Sequence, residues 1–409
     1  MRFSPKEVLS GDGKTRGGAD SLASAASSAD RRRVRAKTSS AAGASSSVYH
    51  RMQAMRDALA SFQVVVTTCS SAGHELLRGI TFPRVLVDEC TQSVEPSTLL
   101  PLSNGCNHLV LIGDHKQLPP TVVSDEARKM GLDRSMFARL AAPHASSHSA
   151  GPVAEPLLLD EQRRMHPSIA AFPNTHFYGG RVRDAAPSRP PVSGVPWPDG
   201  DMRVLLVDVQ TELGEEQQGT SWRNAAEVDA VLKLASHVLR CDDRSKGQAS
   251  LPPEEVVVMT PYFQQKQLLQ AEFWRRTQQD TATAPLLGQV RVSTIDGFQG
   301  AESDLVIFSA VRSNVGGRLG FLSDARRANV ALTRARRGLV VFADATTMRQ
   351  AKGTVWAEWL AWVEGRGGVM PLAEFSSRLP PVDGAKRARS RSPQVSFGTG
   401  AGRSLPAQY

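Results

Sequence analysis

Several stretches of this chain put charged or amide side chains where an apolar strand gives out. In VLVDEC (85–90) a hydrophobic run delivers two adjacent carboxylates, Asp88 and Glu89. In nucleotide hydrolysis the first of such a pair can hold Mg²⁺ through water, and the second can orient or deprotonate the attacking water. Taken alone, the same pair also fits a helix cap or a surface pair. LVLIGDHKQLPP (109–120) runs through Gly113 and Asp114 to Gln117, then into two prolines that stiffen the loop. A neutral amide there can feel a terminal phosphate without adding charge; the plain alternative is an ordinary Gly/Pro turn. LDEQRRMHP (159–167) offers Arg164, and RRANVALTRARRGLVVFAD (326–344) offers Arg334 between apolar segments. A guanidinium pointed across a cleft stabilises charge on a transferring phosphoryl group, although a lone arginine of this kind is usually a surface ion pair.

Chemistry of this kind needs strands whose carboxyl ends gather the side chains. Nine nearly continuous apolar runs meet that need, at 62–68, 84–89, 108–114, 156–161, 203–209, 255–260, 290–294, 304–311 and 339–344. Such runs predict strands buried on both faces of a parallel sheet. Several end in Asp, Glu, Thr or Ser, at the edge where open α/β sheets place their ligands. The Pro-rich stretch RVRDAAPSRPPVSGVPWPDGD (181–201) divides them into four and five. The fold class expected is α/β, with parallel-sheet domains over 48–180 and 202–375 joined by a linker loop at 181–201. Basic tails poor in large apolar residues, at 1–47 and 376–409, are expected to be disordered.

The 409 residues are 41% hydrophobic, enough for two cores and too much for wholesale disorder. No apolar run approaches the ~20 residues of a membrane span, and the N-terminus lacks a secretory signal. Four scattered cysteines without a C-x-x-C pair argue against a disulfide framework or zinc module. These features predict a soluble protein of the cytoplasm or nucleus. The net charge of +9 comes from the tails, which carry nine Lys/Arg against four Asp/Glu in 1–47 and six against one in 376–409. The body between them is close to neutral, so composition by itself shows no nucleic-acid groove. KRARSRSP in the second tail suits nuclear import, RNA contact or a plain solvated tail.

In collinear order these sites resemble the motifs of superfamily 1B helicases, in the group of the nonsense-mediated-decay helicase and senataxin. DECTQ is similar to motif II, GDHKQLPP to motif III and EQRRMHP to the Q-Y-R-M-H-P element. TPYFQQ (260–265), TIDGFQGAESD and NVALTRARRG are similar to motifs IV, V and VI, and VVVTTCSSAG (64–73) to the motif Ic region. The resemblance, over about residues 60–345, implies two RecA-like domains of the P-loop NTPase fold, with ATP and Mg²⁺ between them and a single strand of RNA or DNA lying across both. It implies that Asp88 binds Mg²⁺ through water, Glu89 activates water and Gln117 senses the γ-phosphate, which Arg164 and Arg334 also reach. It assigns Gly113, Asp114, Arg163, Gly300 and Glu302 to the nucleotide, Glu302 meeting the ribose, and Thr68, Ser71 and Thr294 to backbone contacts with the strand. It further implies 5′→3′ movement, RNA over DNA, and RNA-decay or transcription-linked partners.

Three departures qualify the resemblance. The Walker A loop, G-x-x-x-x-G-K-[ST], has only GDGKT (11–15) as a candidate, and the first glycine it needs is Val8. The first domain is therefore expected to be incomplete, with an internal strand missing, exposed apolar surface and poor hydrolysis by this chain alone. A truncated gene model is the favoured account; a non-hydrolysing RNA-binding or regulatory relative and a chain completed by another polypeptide stay open. Arg163 stands where the family has tyrosine, and a flat cation can also stack on adenine. DECTQ replaces DEAAQ. The nine histidines show no metal-ligand spacing, Cys69 and Cys90 suit buried small residues, and Trp356, Trp359 and Trp362 suit the packed face of a helix.

Overall fold

The computed structural model describes residues 49–142, 156–210, 214–241, 250–279 and 284–379. GDGKT, the first basic tail and residues 380–409 of the second lie outside the described residues. Residues 376–378, expected to open a disordered tail, instead complete the helix Leu372–Arg378, which the buried Phe375 anchors. The chain divides into two compact units, Met1–Leu158 and Leu159–Tyr409.

The first unit carries a two-stranded parallel sheet, β1 (Arg84–Val87) beside β2 (His108–Leu111), with Leu86 opposite Val110. The crossover between them contains the helix Glu95–Leu102. Because side chains alternate along a strand, Leu86, Val110 and Ile112 share one face, and all three are exposed, Leu86 by 62%. Among the described residues the expected strand at 62–68 is reduced to a single bridging residue, Val66. An apolar run of β-branched residues is necessary for such a strand, but pairing along its length is what makes it one. The run at 156–161 straddles the unit boundary and is likewise reduced to β3 (Glu161–Gln162), which pairs in parallel with β4 (Arg183–Asp184), both in the second unit.

The second unit is built on a six-stranded all-parallel sheet. Its strands are β5 (Val204–Asp208), β8 (Val256–Thr260), β9 (Arg291–Thr294), β10 (Ser303–Ser309), β11 (Ala335–Ala343) and β12 (Val369–Pro371). Their spatial order is β12-β5-β11-β10-β8-β9. A small antiparallel hairpin, β6 (Glu216–Gln218) and β7 (Ser221–Arg223), lies outside it. The central strands are buried on both faces, as their uninterrupted Val, Leu and Ile runs require. On one face Leu205, Val207, Val258, Ile307 and Phe342 share a core with the helices Ala225–Val238 and Phe263–Gln279. Helix Val355–Glu364 buries Trp356 and Trp359 completely, Trp356 stacking on Phe308 at 5.3 Å and donating its Nε1–H to Leu322 O at 2.9 Å. The packed-face reading of these two tryptophans stands; Trp362 lies against Phe172 and under Arg366.

The unit boundary falls ahead of the stretch expected to be a linker. Residues 181–201 are part of the second unit: Val192 and Val195 join its core, and Trp197 donates its Nε1–H to Val192 O at 3.0 Å. A Cβ on Gly338 would meet the Trp197 ring at 2.5 Å, so the ring lies directly on β11. The segment 159–180 goes with it, His166 donating its backbone N–H to Arg336 O at 2.9 Å. Proline density marked an irregular path, and burial of its apolar side chains fixed that path to the sheet.

Candidate nucleotide and strand sites

In the first unit both sequence-predicted turns leave the carboxyl ends of adjacent parallel strands. After β1 the chain passes through Asp88 into Glu89, which takes a left-handed conformation (φ 51°) uncommon for a residue with a side chain. Asp88 Oδ1 accepts the Glu89 N–H at 3.0 Å, and Gln92 Nε2 donates to Glu89 Oε2 at 2.8 Å. Conformations of this kind cost about 1–3 kcal/mol and gather at functional sites. The following Cys90 donates its N–H to Ile112 O at 2.9 Å, which brings DECTQ against GDHKQ. Gly113 permits the approach, since a Cβ there would meet Cys90 Sγ and Thr91 Cγ2 at 3.1 Å and Thr91 N at 3.2 Å. Asp114 then organises its own turn: Oδ1 accepts from Lys116 N at 2.9 Å, and Oδ2 accepts from Gln117 Nε2 at 2.9 Å. The structure therefore brings Asp88, Glu89, Gly113, Asp114 and Gln117 into neighbouring turns, with Asp114 aligning the Gln117 amide.

Asp88 and Glu89 are exposed, so water and an ion can reach them. Among the described residues no three His, Cys, Asp or Glu side chains form a metal cage. That donor set fits Mg²⁺, which takes one or two carboxylates and completes its octahedron with water and phosphate oxygens. Cys90 is buried, and burial pushes its thiol up to about 11, which disfavours the thiolate.

Thr68 and Ser71 sit before β1. Thr68 caps the short helix Cys69–Ala72, accepting from Ser71 N at 3.1 Å and donating to Ser71 Oγ at 2.9 Å. Their hydroxyls are thus bonded to each other.

In the second unit the arginines lie at the amino ends of β10 and β11. Arg164 donates Nε–H to Glu302 Oε2 at 2.5 Å and Nη1–H to Thr333 O at 3.0 Å. Arg336, which the motif reading passed over, reaches the same carboxylate through Oε1 at 3.2 Å and also bonds Asp304 and Glu255. Burial would raise the Glu302 carboxyl, but its two arginine partners hold it below the ordinary carboxylate value. Arg334 is 2% exposed and donates to Val330 O at 3.0 Å, Thr333 Oγ1 at 3.0 Å and Ala301 O at 3.5 Å. Its guanidinium is held by the end of helix Ala325–Leu332 and the turn before β10. Gly300 supplies a positive φ of 74° to that turn. Arg163 is exposed and pairs with Glu161 at 2.5 Å. The structure brings Arg164, Glu302, Gly300 and Arg334 together, while Arg163 points to its own strand neighbour. Thr294 lies at the opposite end of the sheet, closing β9, where its Oγ1 accepts the Gly297 N–H at 3.2 Å.

A fully buried carboxyl, Glu227, also escaped the sequence reading. It accepts from Ser309 Oγ at 2.5 Å and from Val311 N at 2.9 Å, and Val311 has a φ of 73°. Gln265, from TPYFQQ, donates to Ser309 Oγ at 2.8 Å and to Asn224 O at 3.0 Å. Glu227 precedes Val231 and Leu234 at the 4 and 7 spacing of one helix face, so an acid on an apolar stripe was the available signal.

Two family models, both described as an AAA domain, match the chain: AAA_12 over residues 132–346 and AAA_11 over 14–125. The chain belongs to this AAA_11/AAA_12 family, within the superfamily 1B helicases of the nonsense-decay and senataxin group. Its fold is the mixed α/β, parallel-sheet class of that family. Among curated relatives, the "Regulator of nonsense transcripts 1 homolog" of Neurospora crassa is 33% identical over 365 residues, 86% of this chain and 31% of that protein. The "ATP-dependent helicase NAM7" of Saccharomyces cerevisiae is 33% identical, covering 74% of this chain and 29% of that protein. "Helicase SEN1" of the same yeast is 31% identical, covering 75% of this chain and 13% of that one. This chain therefore spans less than a third of each. The solved "structure of PRRSV helicase" aligns at a TM-score of 0.30 and 17% identity, over 63% of this chain and 34% of that one; a likeness at that level adds nothing to the assignment.

Proposed function

We propose that this chain is the motor portion of an ATP-dependent helicase that moves 5′→3′ on single-stranded nucleic acid, RNA before DNA. In this reading Asp88 carries Mg²⁺ through water, Glu89 orients the attacking water, and Gln117, aligned by Asp114, reads the terminal phosphate. Arg164 and Arg334 supply positive charge to the transferring phosphoryl group, Glu302 and Gly300 belong to the nucleotide's sugar end, and Arg163 offers a flat cation to the base. Thr68, Ser71 and Thr294 hold the strand through its phosphates and sugars, contacts that carry little sequence information. RNA-decay or transcription-linked proteins, in cytoplasm or nucleus, are the partners that suit such a motor. The domain plan is a first RecA-like unit with DECTQ and GDHKQLPP and a second with TPYFQQ, TIDGFQG and NVALTRAR.

The observation that carries the reading is the abutment of DECTQ on GDHKQ at the close-packed Gly113, which sets two exposed acids beside an amide held in place. Family membership supplies the reaction. The test is ATP turnover with and without single-stranded RNA, in the parent and in E89Q. Strand-stimulated turnover in the parent, lost in E89Q while ATP still binds, supports it. No turnover above background in the parent favours the second reading, a strand-binding helicase-like protein without hydrolysis, for which the lack of a G-x-x-x-x-G-K-[ST] run speaks.

A further inference from the structure

The carboxyl end of the second unit's sheet presents an aromatic ring that its neighbours brace and leave partly exposed. Phe321 follows Gly320, whose φ of 56° and lack of a Cβ are both required, since a Cβ would stand 2.5 Å from Arg312 Nη1. Tyr262, just past β8, donates its hydroxyl to Leu319 O at 3.0 Å and places its ring 6.4 Å from that of Phe321. Arg327 lays its guanidinium 3.5 Å from the Phe321 centroid. That guanidinium is pinned by Asp324 at 2.8 Å and by Asp296 at 3.3 Å, the latter in the turn that leaves Thr294. Even so, Phe321 remains 45% exposed, and Phe263 beside Tyr262 is exposed as well.

Holding a large apolar ring partly in water costs hydrophobic free energy that packing could have recovered. The charges around it restrict what it faces. Arg327 is already matched by two carboxylates, so it is not a phosphate clamp, and those carboxylates repel a phosphate at close range. What suits the surface is a flat, neutral π-system, and its continuity with the Thr294–Gly297 turn places it beside the strand contact proposed above.

We propose that Phe321, backed by Arg327, is a stacking platform for one unpaired base of the single strand. The inference rests on the strand-binding reading of Thr294 and adds to it a grip on the base. Stacking of this type is tolerant of sequence, because every base has a π-face, and it contributes no counterion release.

Binding of a fluorescent ten-nucleotide RNA to the full chain tests it, using F321A, F321L and F321Y. Base–aromatic stacking is typically removed at a cost of about tenfold in affinity. F321A and F321L should bind about tenfold more weakly, F321Y should match the parent, and the slope of log affinity against log salt should be the same in all four. On an abasic strand of the same length the four proteins should bind alike. The ring is nearly half exposed but braced by Arg327 and Tyr262, so F321A should melt slightly lower, while F321L keeps most of the packing and separates loss of stacking from a folding defect. Equal affinity of F321A and parent for the normal strand overturns the platform while leaving strand binding intact, as does an equal loss on the abasic strand. Failure of the parent to bind either strand overturns both readings.

Discussion

Arg164 and Glu302 are bound to each other: the arginine assigned to phosphate and the acid assigned to ribose form one ion pair at 2.5 Å, which Arg336 extends. Their joint setting would make the two proposed roles interdependent. Glu302 has its pKa held down in the folded protein, so its stabilising contribution is present above the ordinary carboxylate value of 4.5 and is lost as pH falls through the lower folded value. E302Q should therefore be less stable than the parent at pH 7, and the difference should close in acid. The pair is partly exposed, which keeps the effect within about 1 kcal/mol. Urea melts at pH 7 and pH 3 check it.

Glu227 predicts the opposite slope. Burial raises its pKa to about 8, against the hydrogen bonds from Ser309 and Val311 and with help from the negative charges of Asp344 and Glu215. The unfolded chain releases this proton near 4.5 and the folded one only near 8, so stability declines across that window and is level above it. E227Q can still accept from Val311 N and donate to Ser309 Oγ. It should equal the parent near pH 5 and exceed it at pH 8 by on the order of a few kcal/mol, read from denaturation at the two pH values. A parent with no such decline would show that Glu227 is ionised in place.

His237 is buried with neither ring nitrogen bonded, and burial lowers its pKa. The unfolded chain therefore binds the proton first, and stability is lost as pH falls below about 6.5. H237L removes two orphan polar atoms and should stabilise the protein by about 1 kcal/mol at pH 7 and by more at pH 5.5. A melting temperature lowered at both pH values would argue against this assignment.

Gly338 and Trp197 should be coupled. G338A forces a methyl into the indole, an overpacking that costs about 1–3 kcal/mol. W197A removes the obstacle, so the double variant should be more stable than the sum of the single losses predicts. Strict additivity in a thermal double-mutant cycle would mean that Trp197 does not rest on β11.

The central sheet of the second unit was legible because β5, β8 and the inner stretches of β10 (Leu305–Phe308) and β11 (Leu339–Ala343) are uninterrupted apolar runs, and only a strand covered on both faces needs that. The acid pair and the Gln117 turn were legible because strand ends and glycine leave marks in the letters. The region 181–201 was misread, since prolines describe a path and not what buries it; the spacing of Val192, Val195 and Trp197 was the signal missed. β12 has three residues and gains its register from β5, so its own sequence says little. The commitments of Arg334 to Val330, Thr333 and Ala301 depend on a tertiary turn that no local pattern encodes.

All six tryptophans of the chain, Trp197, Trp222, Trp274, Trp356, Trp359 and Trp362, fall after Leu158. Intrinsic indole emission is consequently a private reporter of one unit, with Trp356 and Trp359 shielded from quenchers, and the other unit is optically silent at those wavelengths. Far-ultraviolet ellipticity sees both, so a mismatch between the two melting curves would measure how independently the silent unit comes apart.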